Sequence, residues 1–431
     1  MSTEKVLIVG AGCFGLSTAF HLLKRGYVDV TVIDRSNVLP APDAASTDLN
    51  KIVRTSYSDI FYARFAKEAI DVWKDEKEWD DAYHECGVLV LNPGDHAYTG
   101  SSYQNDISLG SRLTNLEGGS SIGGVFPPGV QTAFPSTTSG YLNQDGGWAY
   151  AAKGVSLLMS KVIALGGQVM AGKPVKRLVR KDGVTSGVEC VDGTVLSADI
   201  VVIATGSWTS ATFSELDLST MCLATGQSVA TIQLTTKEAE RYRKCPVVLD
   251  FKSGFYVFPP NEDGIVKMAI HAAGYTNVPQ SSIPSELTPD RTISTPRTSQ
   301  SHGDEGLLIP KEMVQVLRNH LEEVYPELAR KPFGGTRLCW YLDTPDEDWV
   351  IGPHPDDPSL FFATGGSGHA YKFLPVVGRL VADSIQGKLD PSLQAKFAIN
   401  RKNATQTHSR FPYEVKPLEV AQLCTPADLL P

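Results

Sequence analysis

Long apolar runs are missing from this chain of 431 residues. No stretch reaches the roughly 20 apolar residues that a membrane-spanning helix needs, and no basic segment followed by a short apolar one begins the sequence. The last three residues are Leu-Leu-Pro, so the common peroxisomal signal Ser-Lys-Leu is absent. We therefore expect a cytoplasmic protein that does not bind membranes, with the peroxisome as the alternative location.

An excess of positive charge and paired cysteines are missing as well. Lysine and arginine total 39 against 48 aspartate and glutamate residues, which gives a net charge of -9. A nucleic-acid-binding protein normally presents a basic face, so this balance argues against one. The seven cysteines form no Cys-x-x-Cys pair and no Cys/His cluster with zinc spacing. We expect reduced thiols, mostly small buried hydrophobes, and we assign no metal site.

The N-terminal segment reads as a strand, a helix and a second strand. Residues 6–9 form a continuous apolar run, as in a buried parallel strand, and apolar residues then recur at helical spacing over 16–23. Residues 30–33 form the second strand, which Asp34 closes. This βαβ pattern predicts the start of a Rossmann-like α/β domain.

Three glycines with the spacing GxGxxG lie between the first strand and the helix. Gly10 permits the tight turn, Gly12 lets the backbone approach a pyrophosphate, and Gly15 lets the helix pack against the strand. The helix N-terminus attracts phosphate charge, and Asp34 is placed to accept hydrogen bonds from ribose hydroxyls. The pattern predicts a dinucleotide site, but it does not separate NAD from FAD.

The rest of the chain alternates between helical and strand-rich segments. Apolar periodicity predicts helices over 62–74 and within 311–328, the second of which stops near Pro326. Residues 87–140 read as short strands and loops rich in glycine, serine and proline. A polar stretch over 276–305 predicts a long loop, either a lid or a mobile segment, and a polar tail is expected after Gly387.

A βαβ unit, a β-meander and the triplet Ala204-Thr205-Gly206 at a strand end resemble the FAD-binding fold of the glutathione reductase and D-amino acid oxidase type. The implied fold class is α/β, with a discontinuous Rossmann-like FAD-binding domain and a mixed α+β substrate domain that contains an antiparallel sheet. The expected boundaries are 1–86, 146–215 and 336–400 for the FAD-binding domain, 87–145 and 216–335 for the substrate domain, and 401–431 for a C-terminal tail.

Two late stretches are more specific. "RLCWYLDTPDEDWVIGPHP" (337–355), followed by "FFATGGSGHAYKF" (361–373), resembles the monomeric sarcosine oxidase family, which includes fungal fructosyl amino acid oxidases (amadoriases) and saccharopine and pipecolate oxidases. The resemblance covers residues 5–400 in motif order. "ATGQSVATIQLT", "LDFKSGFYVFPP" and "GGSGHAYKF" are most similar to the saccharopine and pipecolate branch. The acidic DTPDED within the first stretch predicts a solvated turn.

The resemblance implies FAD as the cofactor, attached through an 8α-thioether to Cys339. It also implies that the residues before Lys372 place backbone N–H groups and a helix N-terminus near the flavin, where they stabilise negative charge. The cofactor-binding set implied by the family pattern is Gly10, Gly12, Cys13, Phe14, Gly15, Asp34, Arg35, Ser46, Lys51, Val175, Ala204, Gly206, Trp208, Cys339, Gly366, Ser367, Gly368, His369 and Lys372.

The same resemblance implies where oxygen and the substrate carboxylate are bound. Lys267 matches the lysine that activates oxygen, because a fixed cation stabilises the superoxide formed by the first electron transfer. Lys372 matches the lysine that binds the substrate carboxylate. Arg54 matches a second basic position that either clamps this carboxylate or supports Lys51.

Some of the remaining pocket residues differ between the branches of the family. His271 matches a substrate-pocket histidine of sarcosine oxidase, where amadoriases carry glutamate. Lys51, in "DLNKIVR", is typical of amadoriases, whereas the sarcosine branch has arginine there. Tyr256 and Tyr341 match aromatic residues that wall off the substrate amine.

The implied activity is oxidation of the C–N bond of a secondary amino acid to an imine, with O2 reduced to hydrogen peroxide. The substrate is expected to be of the pipecolate, saccharopine or N-alkyl amino acid type, and the protein is expected to be a monomer. One alternative is a fructosyl amino acid oxidase, favoured by Lys51 and disfavoured by His271. Others are an oxidase that tailors an N-alkyl amino acid in a biosynthetic pathway, and a flavin- or NAD-binding protein without oxidase activity.

Overall fold

The computed structural model describes residues 2–91, 96–279, 293–402 and 414–431. The strands are β1 (Ser2–Val9), β2 (Tyr27–Ile33), β3 (Lys51–Val53), β4 (Tyr83–His84), β5 (Val88–Leu91), β6 (Leu113–Glu117), β7 (Ser139–Asn143), β8 (Gly147–Ala149), β9 (Gln168–Met170), β10 (Val175–Lys181), β11 (Val184–Cys190), β12 (Val195–Ser197), β13 (Ile200–Ile203), β14 (Leu223–Gln233), β15 (Val247–Asp250), β16 (Phe255–Val257), β17 (Ile265–Ile270), β18 (Tyr275–Thr276), β19 (Gly335–Asp343), β20 (Val350–His354), β21 (Asp357–Thr364) and β22 (Lys416–Pro417).

The α-helices are α1 (Cys13–Lys24), α2 (Ile60–Trp73), α3 (Glu76–Trp79), α4 (Ala97–Ser108), α5 (Gly118–Gly123), α6 (Ala151–Ala164), α7 (Thr209–Thr212), α8 (Thr236–Tyr242), α9 (Ser299–His302), α10 (Lys311–Val324), α11 (Pro326–Ala329), α12 (Val377–Ile385) and α13 (Pro391–Phe397). The helices predicted over 62–74 and 311–328 are therefore present. In the described ranges, none of the helices has the length and apolarity needed to span a bilayer.

The first sheet carries the nucleotide pattern, in the order β20-β21-β13-β1-β2-β9. Strand β1 lies parallel to β2 and β13, and Leu7 is opposite Thr31 on one side and Val201 on the other. The second half of β1 and all of β13 are apolar and buried, as expected of central parallel strands. Because the strands come from early, middle and late parts of the chain, the predicted discontinuous α/β fold is confirmed.

Both faces of this sheet are covered. Helices α1, α6 and α12 pack on one face, where Leu16, Leu158 and Val377 share one buried cluster. The antiparallel meander β10–β12 covers the other face, where Leu178 packs with Leu7. Helices on one side and a meander on the other leave only the strand ends open to a ligand.

The second sheet is largely antiparallel, in the order β22-β18-β14-β17-β16-β15-β5-β7-β6, with β19 also paired to β14. Side chains alternate between its two faces. Leu338 and Trp340 of β19 pack in the same cluster as Leu317 of α10, whereas Cys339 and Tyr341 lie in a different cluster. The alternation thus turns Cys339 and Tyr341 away from α10 and into the cluster that contains Trp148 and Tyr256.

Two helices, α4 and α5, lie within residues 87–140, where the sequence predicted strands and loops. That prediction was wrong because α4 ("AYTGSSYQNDIS") consists largely of weak helix formers and lacks a continuous apolar face. Polar contacts with the rest of the protein replace the apolar stripe. Asn105 donates to the Tyr57 carbonyl, and Asp106 accepts from Thr55.

The prediction of a polar tail after Gly387 was also wrong for the described residues. Asp390 caps α13, and Phe397 stacks on Trp349 with ring centroids 5.7 Å apart. Residues 414–431 return to the second sheet, where β22 extends β18 and Cys424 is buried. Long-range packing, which polar composition does not reveal, holds both segments.

The polar loop predicted over 276–305 falls partly outside the described residues, which end at 279 and resume at 293. Its described end forms α9. There Ser299 Oγ donates to Asp43 Oδ1 at 3.0 Å, and Gln300 Nε2 donates to Ser36 Oγ at 3.2 Å. This end of the segment is therefore attached to the nucleotide-binding half of the chain.

Candidate active site

A cleft of about 1220 Å³ opens at the carboxyl ends of β1, β2 and β13, beside the N-terminus of α1. This is where open parallel sheets bind their ligands. The predicted cofactor-binding residues that line it are Gly10, Gly12, Cys13, Phe14, Asp34, Arg35, Ser46, Lys51, Val175, Ala204, Gly206, Trp208, Gly366, Ser367, Gly368 and His369.

The turn requires glycine because other backbone atoms approach it closely. Gly10 has a φ of +114°, and a Cβ at this position would collide with the carbonyl oxygen of Ala204. A Cβ on Gly15 would overlap the carbonyl oxygen of Gly10, so Gly15 allows α1 to pack on the turn and does not itself line the cleft. Gly12 is the N-cap of α1, where the first N–H groups of the helix have no intrahelical partner.

Asp34 is held at the end of β2 by two backbone donors. Its Oδ2 accepts from the Ala11 N–H and its Oδ1 from the Ser36 N–H, at 2.8 and 2.9 Å. A carboxylate has further lone pairs for ribose hydroxyls. A side-chain-free turn, a helix N-terminus and a fixed carboxylate together fit the pyrophosphate and ribose of FAD.

A second cavity of about 610 Å³ adjoins the cleft. The two share Lys51, Tyr341, Gly368, His369 and Tyr371 as lining residues. The structure brings together in this second cavity the predicted catalytic and substrate-binding residues Lys51, Arg54, Tyr256, His271, Tyr341 and Lys372.

Lys267 lies behind the cavity wall instead of lining it. Its ammonium donates to Asp48 Oδ2 and to the Asn50 carbonyl, both at 2.6 Å. Lys51 Nζ lies 2.8 Å from the same Asp48 oxygen, and its own side chain does line both cavities. One buried carboxylate oxygen therefore holds both lysines.

This cluster shifts the pKa of each of its members. Burial lowers the pKa of Lys267 to about 8, although the Asp48 carboxylate opposes the shift. For Lys51 burial is again the largest single effect and lowers the pKa, but Asp48 together with Cys339 and Tyr256 more than offsets it, so the pKa is raised. Burial opposes ionisation of Asp48 as well, yet Lys267, Lys51 and Arg337 hold its pKa well below the usual range.

Cys339 is buried on β19 and does not line the cleft, but the two residues that follow it, Trp340 and Tyr341, do. Its Sγ accepts weak hydrogen bonds from Lys51 Nζ at 3.6 Å and Arg337 Nη2 at 3.7 Å. Two cations next to the sulfur would stabilise negative charge that develops there during a reaction.

Lys372 joins the second cavity to the motif around His369. Its Nζ donates to Tyr57 Oη at 2.6 Å and to the His369 carbonyl at 2.7 Å. The Tyr57 hydroxyl also lies 3.1 Å from His369 Nδ1. Gly368 has a φ of +69°, and a Cβ there would lie 2.5 Å from both the His271 and Tyr341 rings, so this turn requires glycine.

Arg54 is a buried cation of the second cavity. Its guanidinium lies over the rings of Tyr57 and Phe251, at 4.4 and 4.8 Å, and donates to the Ser56 carbonyl. Within the described ranges, no aspartate or glutamate forms an ion pair with it. A buried cation of this kind suits an anionic ligand.

Two predictions about this region were wrong. No helix begins beside Gly366–His369: Tyr371–Phe373 form one 3-10 turn and α12 starts at Val377, because Pro375 has no N–H for the carbonyl four residues earlier. The turn DTPDED is not simply solvated. Asp346 pairs with the nearly buried Arg401, and the Glu347 carbonyl lies 3.0 Å from His369 Nε2.

Asp48, Arg337 and Tyr57 were not predicted as site residues. For Asp48 there was a signal, since it precedes Lys51 by three positions in "DLNKIVR". Arg337 and Tyr57 are recognisable only through their contacts with Cys339 and Lys372. The described residues contain no group of His, Cys, Asp and Glu suited to a metal ion.

The fold and the cleft define a dinucleotide-dependent oxidoreductase. The model of the FAD dependent oxidoreductase family (DAO) matches residues 5–384, and the chain belongs to this family. FAD is therefore its cofactor.

Several oxidases of this family are similar to the chain over most of its length. The chain is 32% identical over 405 residues to L-saccharopine oxidase of Schizosaccharomyces pombe, covering 90% of this chain and 91% of that protein. It is 29% identical over 459 residues to the amino acid oxidase imqH of Aspergillus flavus, covering 90% and 95%. Amadoriase I of Aspergillus fumigatus superposes with a TM-score of 0.86 at 27% identity, covering 98% of both chains. Monomeric sarcosine oxidases also match, which confirms the predicted resemblance.

Asp48→Asn should lower the free energy of unfolding by about 3–5 kcal/mol at pH 7, because it leaves buried cations without a counter-charge. Without this carboxylate the folded-state pKa of Lys267 falls further below its unfolded value, and the pKa of Lys51 loses the contribution of Asp48 that raises it. The folded variant therefore releases protons at lower pH than the folded wild type, so its stability relative to wild type rises with pH. Denaturant unfolding should show that the difference in unfolding free energy between wild type and Asp48→Asn becomes smaller towards pH 10.

Asp59→Asn is the matched control, because it removes a partly exposed partner of Lys396 and should cost no more than about 1 kcal/mol. A deficit in Asp48→Asn that is as small as in the control, or that is equal at all pH values, would contradict the assignment of Asp48 as counter-ion.

Proposed function

We propose that the protein oxidises the C–N bond of a secondary amino acid, of the pipecolate, saccharopine or N-alkyl type, to an imine and reduces O2 to hydrogen peroxide. The observation that carries this proposal is the second cavity, where the cations Arg54 and Lys372 adjoin aromatic walls beside the FAD cleft. Similarity to L-saccharopine oxidase supports it.

FAD, when bound, supplies the redox chemistry: it accepts a hydride equivalent from the carbon beside nitrogen and transfers the electrons to O2. The chain supplies orientation. Arg54 and Lys372 would hold the substrate carboxylate, which fixes the position of the adjacent carbon. Tyr256 and Tyr341 would exclude water around the amine, with His271 as a further substrate contact.

A fructosyl amino acid oxidase is the second candidate. It is supported by Lys51, which lines both cavities, and by the similarity to Amadoriase I. His271 argues against it, because an imidazole occupies a position where a carboxylate would suit sugar hydroxyls.

A peroxide-release screen tests these candidates directly. Pipecolate, saccharopine, sarcosine, N-methyl amino acids and fructosyl amino acids are compared under air. We expect release with at least one secondary amino acid that carries no sugar. Release with fructosyl amino acids alone would establish the second candidate, and no release from any of these compounds would contradict both.

We also propose that Cys339 carries the flavin as an 8α-S-cysteinyl thioether. Its position beside the cleft wall and its contacts with Lys51 and Arg337 support this. The bond replaces the thiol hydrogen and one hydrogen of the flavin 8α-methyl group with a C–S bond. The net change is a two-electron oxidation, for which O2 is the acceptor.

Acid precipitation of wild-type protein should therefore leave the flavin in the pellet, whereas Cys339→Ala should release it to the supernatant. Cys13→Ala is the matched control: Cys13 is a buried thiol that lines the cleft, and its removal should leave the flavin bound. Release from the wild type, or retention in Cys339→Ala, would contradict the tether.

Lys267 is proposed as the fixed cation that stabilises negative charge on oxygen. Its pKa of about 8 implies that reoxidation of the reduced enzyme slows as pH rises through about 8, because the ammonium loses its proton. Lys267→Met should slow reoxidation by about 10²-fold or more and remove this pH dependence. Stopped-flow mixing with O2 measures both; an unchanged rate would exclude the role.

The proposed setting is a cytoplasmic monomer. All seven cysteines are free, which suits a reducing compartment. The proposed partners are a small secondary amine and O2, and the acidic charge balance gives no support to nucleic-acid binding.

A further inference from the structure

Asp106, in the last turn of α4, is a fully buried carboxylate outside the cavities described above. Its Oδ1 accepts from Thr55 Oγ1 at 2.6 Å, and its Oδ2 from Ser56 Oγ at 2.7 Å. Tyr141 Oη and Asn143 Nδ2, both on β7, donate to Oδ2 at 3.2 Å. Burying a carboxylate is costly, so the surrounding donors are part of how it is tolerated.

Two of these donors belong to the segment that carries the substrate-cavity cation Arg54. The Arg54 guanidinium donates to the Ser56 carbonyl and lies over the Tyr57 ring. Tyr57 in turn accepts from Lys372 Nζ at 2.6 Å. Residues 54–57 thus connect the Asp106 carboxylate to two cations of the second cavity, Arg54 and Lys372.

Helix α4 also holds residues 54–57 through other contacts. Asn105 Nδ2 donates to the carbonyls of Tyr57 and Ser58, at 2.9 Å each. Tyr98 packs edge-on against Phe251 with ring centroids 4.7 Å apart, and Phe251 lies beneath the Arg54 guanidinium. Helix α4 therefore supports the cation-bearing wall of the cavity from behind.

We propose that Asp106 is a positioning residue for the substrate carboxylate: through Thr55 and Ser56 it fixes residues 54–57, and through them Arg54 and Lys372. This inference rests on the proposed function, since it assumes that these two cations receive a carboxylate. Asp106 itself does not touch the substrate. Its effect is on how well the cavity distinguishes a carboxylate from a neutral group of the same shape.

The test uses the flavin-loaded enzyme and a binding measurement. Cyclohexanecarboxylate and cyclohexanecarboxamide are titrated into wild type, Asp106→Asn, Ser56→Ala and Tyr103→Phe, and the change in flavin absorbance gives each Kd. Ser56→Ala removes the hydroxyl that donates to Asp106, so it breaks the same connection without changing Asp106. The proposal can therefore still be tested if Asp106→Asn fails to fold. Tyr103→Phe is the matched control, because Tyr103 lies on the same helix and packs on Tyr141 with ring centroids 4.9 Å apart, but is not one of the donors to Asp106.

Asp106→Asn and Ser56→Ala should each weaken carboxylate binding by about tenfold, the size of a disturbed charge-assisted contact. The carboxamide Kd should change less than about twofold, and Tyr103→Phe should resemble wild type with both ligands. Combining Asp106→Asn with Ser56→Ala should add little, because both act through one connection.

Unchanged carboxylate binding in Asp106→Asn and Ser56→Ala would overturn the proposal, as would equal weakening of both ligands or a wild type that does not prefer the carboxylate. Turnover is measured separately on secondary amino acids. Selective loss of carboxylate binding in a protein that oxidises none of them would contradict the proposed function and leave the positioning role standing.

Discussion

The structure depends above all on one buried ion cluster, in which Asp48 Oδ2 binds Lys267 and Lys51. Asp48 and Lys51 lie beside the nucleotide cleft, whereas Lys267 belongs to β17 of the second sheet. The carboxylate therefore joins the two halves of the molecule where their cavities meet. Removing one member of the cluster would leave the others buried without a counter-charge, which costs several kcal/mol.

This constraint also sets the electrostatics of the site. Lys267, Lys51 and Arg337 surround a single carboxylate, and Arg54 and Lys372 add positive charge in the second cavity. The region where the two cavities meet is therefore cationic. Positive charge at these positions suits a substrate carboxylate on one side and oxygen that gains negative charge on the other. The chain as a whole is acidic, so this charge is local to the site.

The parts of the fold and the site that could be predicted are those encoded in short stretches. The spacing of Gly10, Gly12 and Gly15 between an apolar run and a helix is such a case, because each glycine answers a local steric demand. The arrival of Lys51, Tyr256, His271 and Lys372 in one cavity was expected only from the family resemblance, since no local pattern joins residues so far apart in sequence.

Tertiary contacts account for what could not be predicted. Helix α4 has weak helical propensity and is held by side-chain bonds such as those of Asp106. The turn DTPDED looks solvated from its composition, but Arg401, more than 50 positions later, neutralises Asp346. Lys267 was expected at the flavin, and its attachment to Asp48 behind the cavity wall follows from the pairing of distant segments.

The most direct measurement is anaerobic bleaching of the bound flavin by a secondary amino acid, compared with its methyl ester. Without oxygen, only the reduction of the flavin by the substrate is observed. The measurement therefore tests the central claim, that a cationic cavity presents a carboxylate-bearing secondary amine to FAD. The account predicts rapid bleaching by the free acid and far slower bleaching by the ester. Equal rates with acid and ester, or no bleaching by any secondary amino acid, would contradict it.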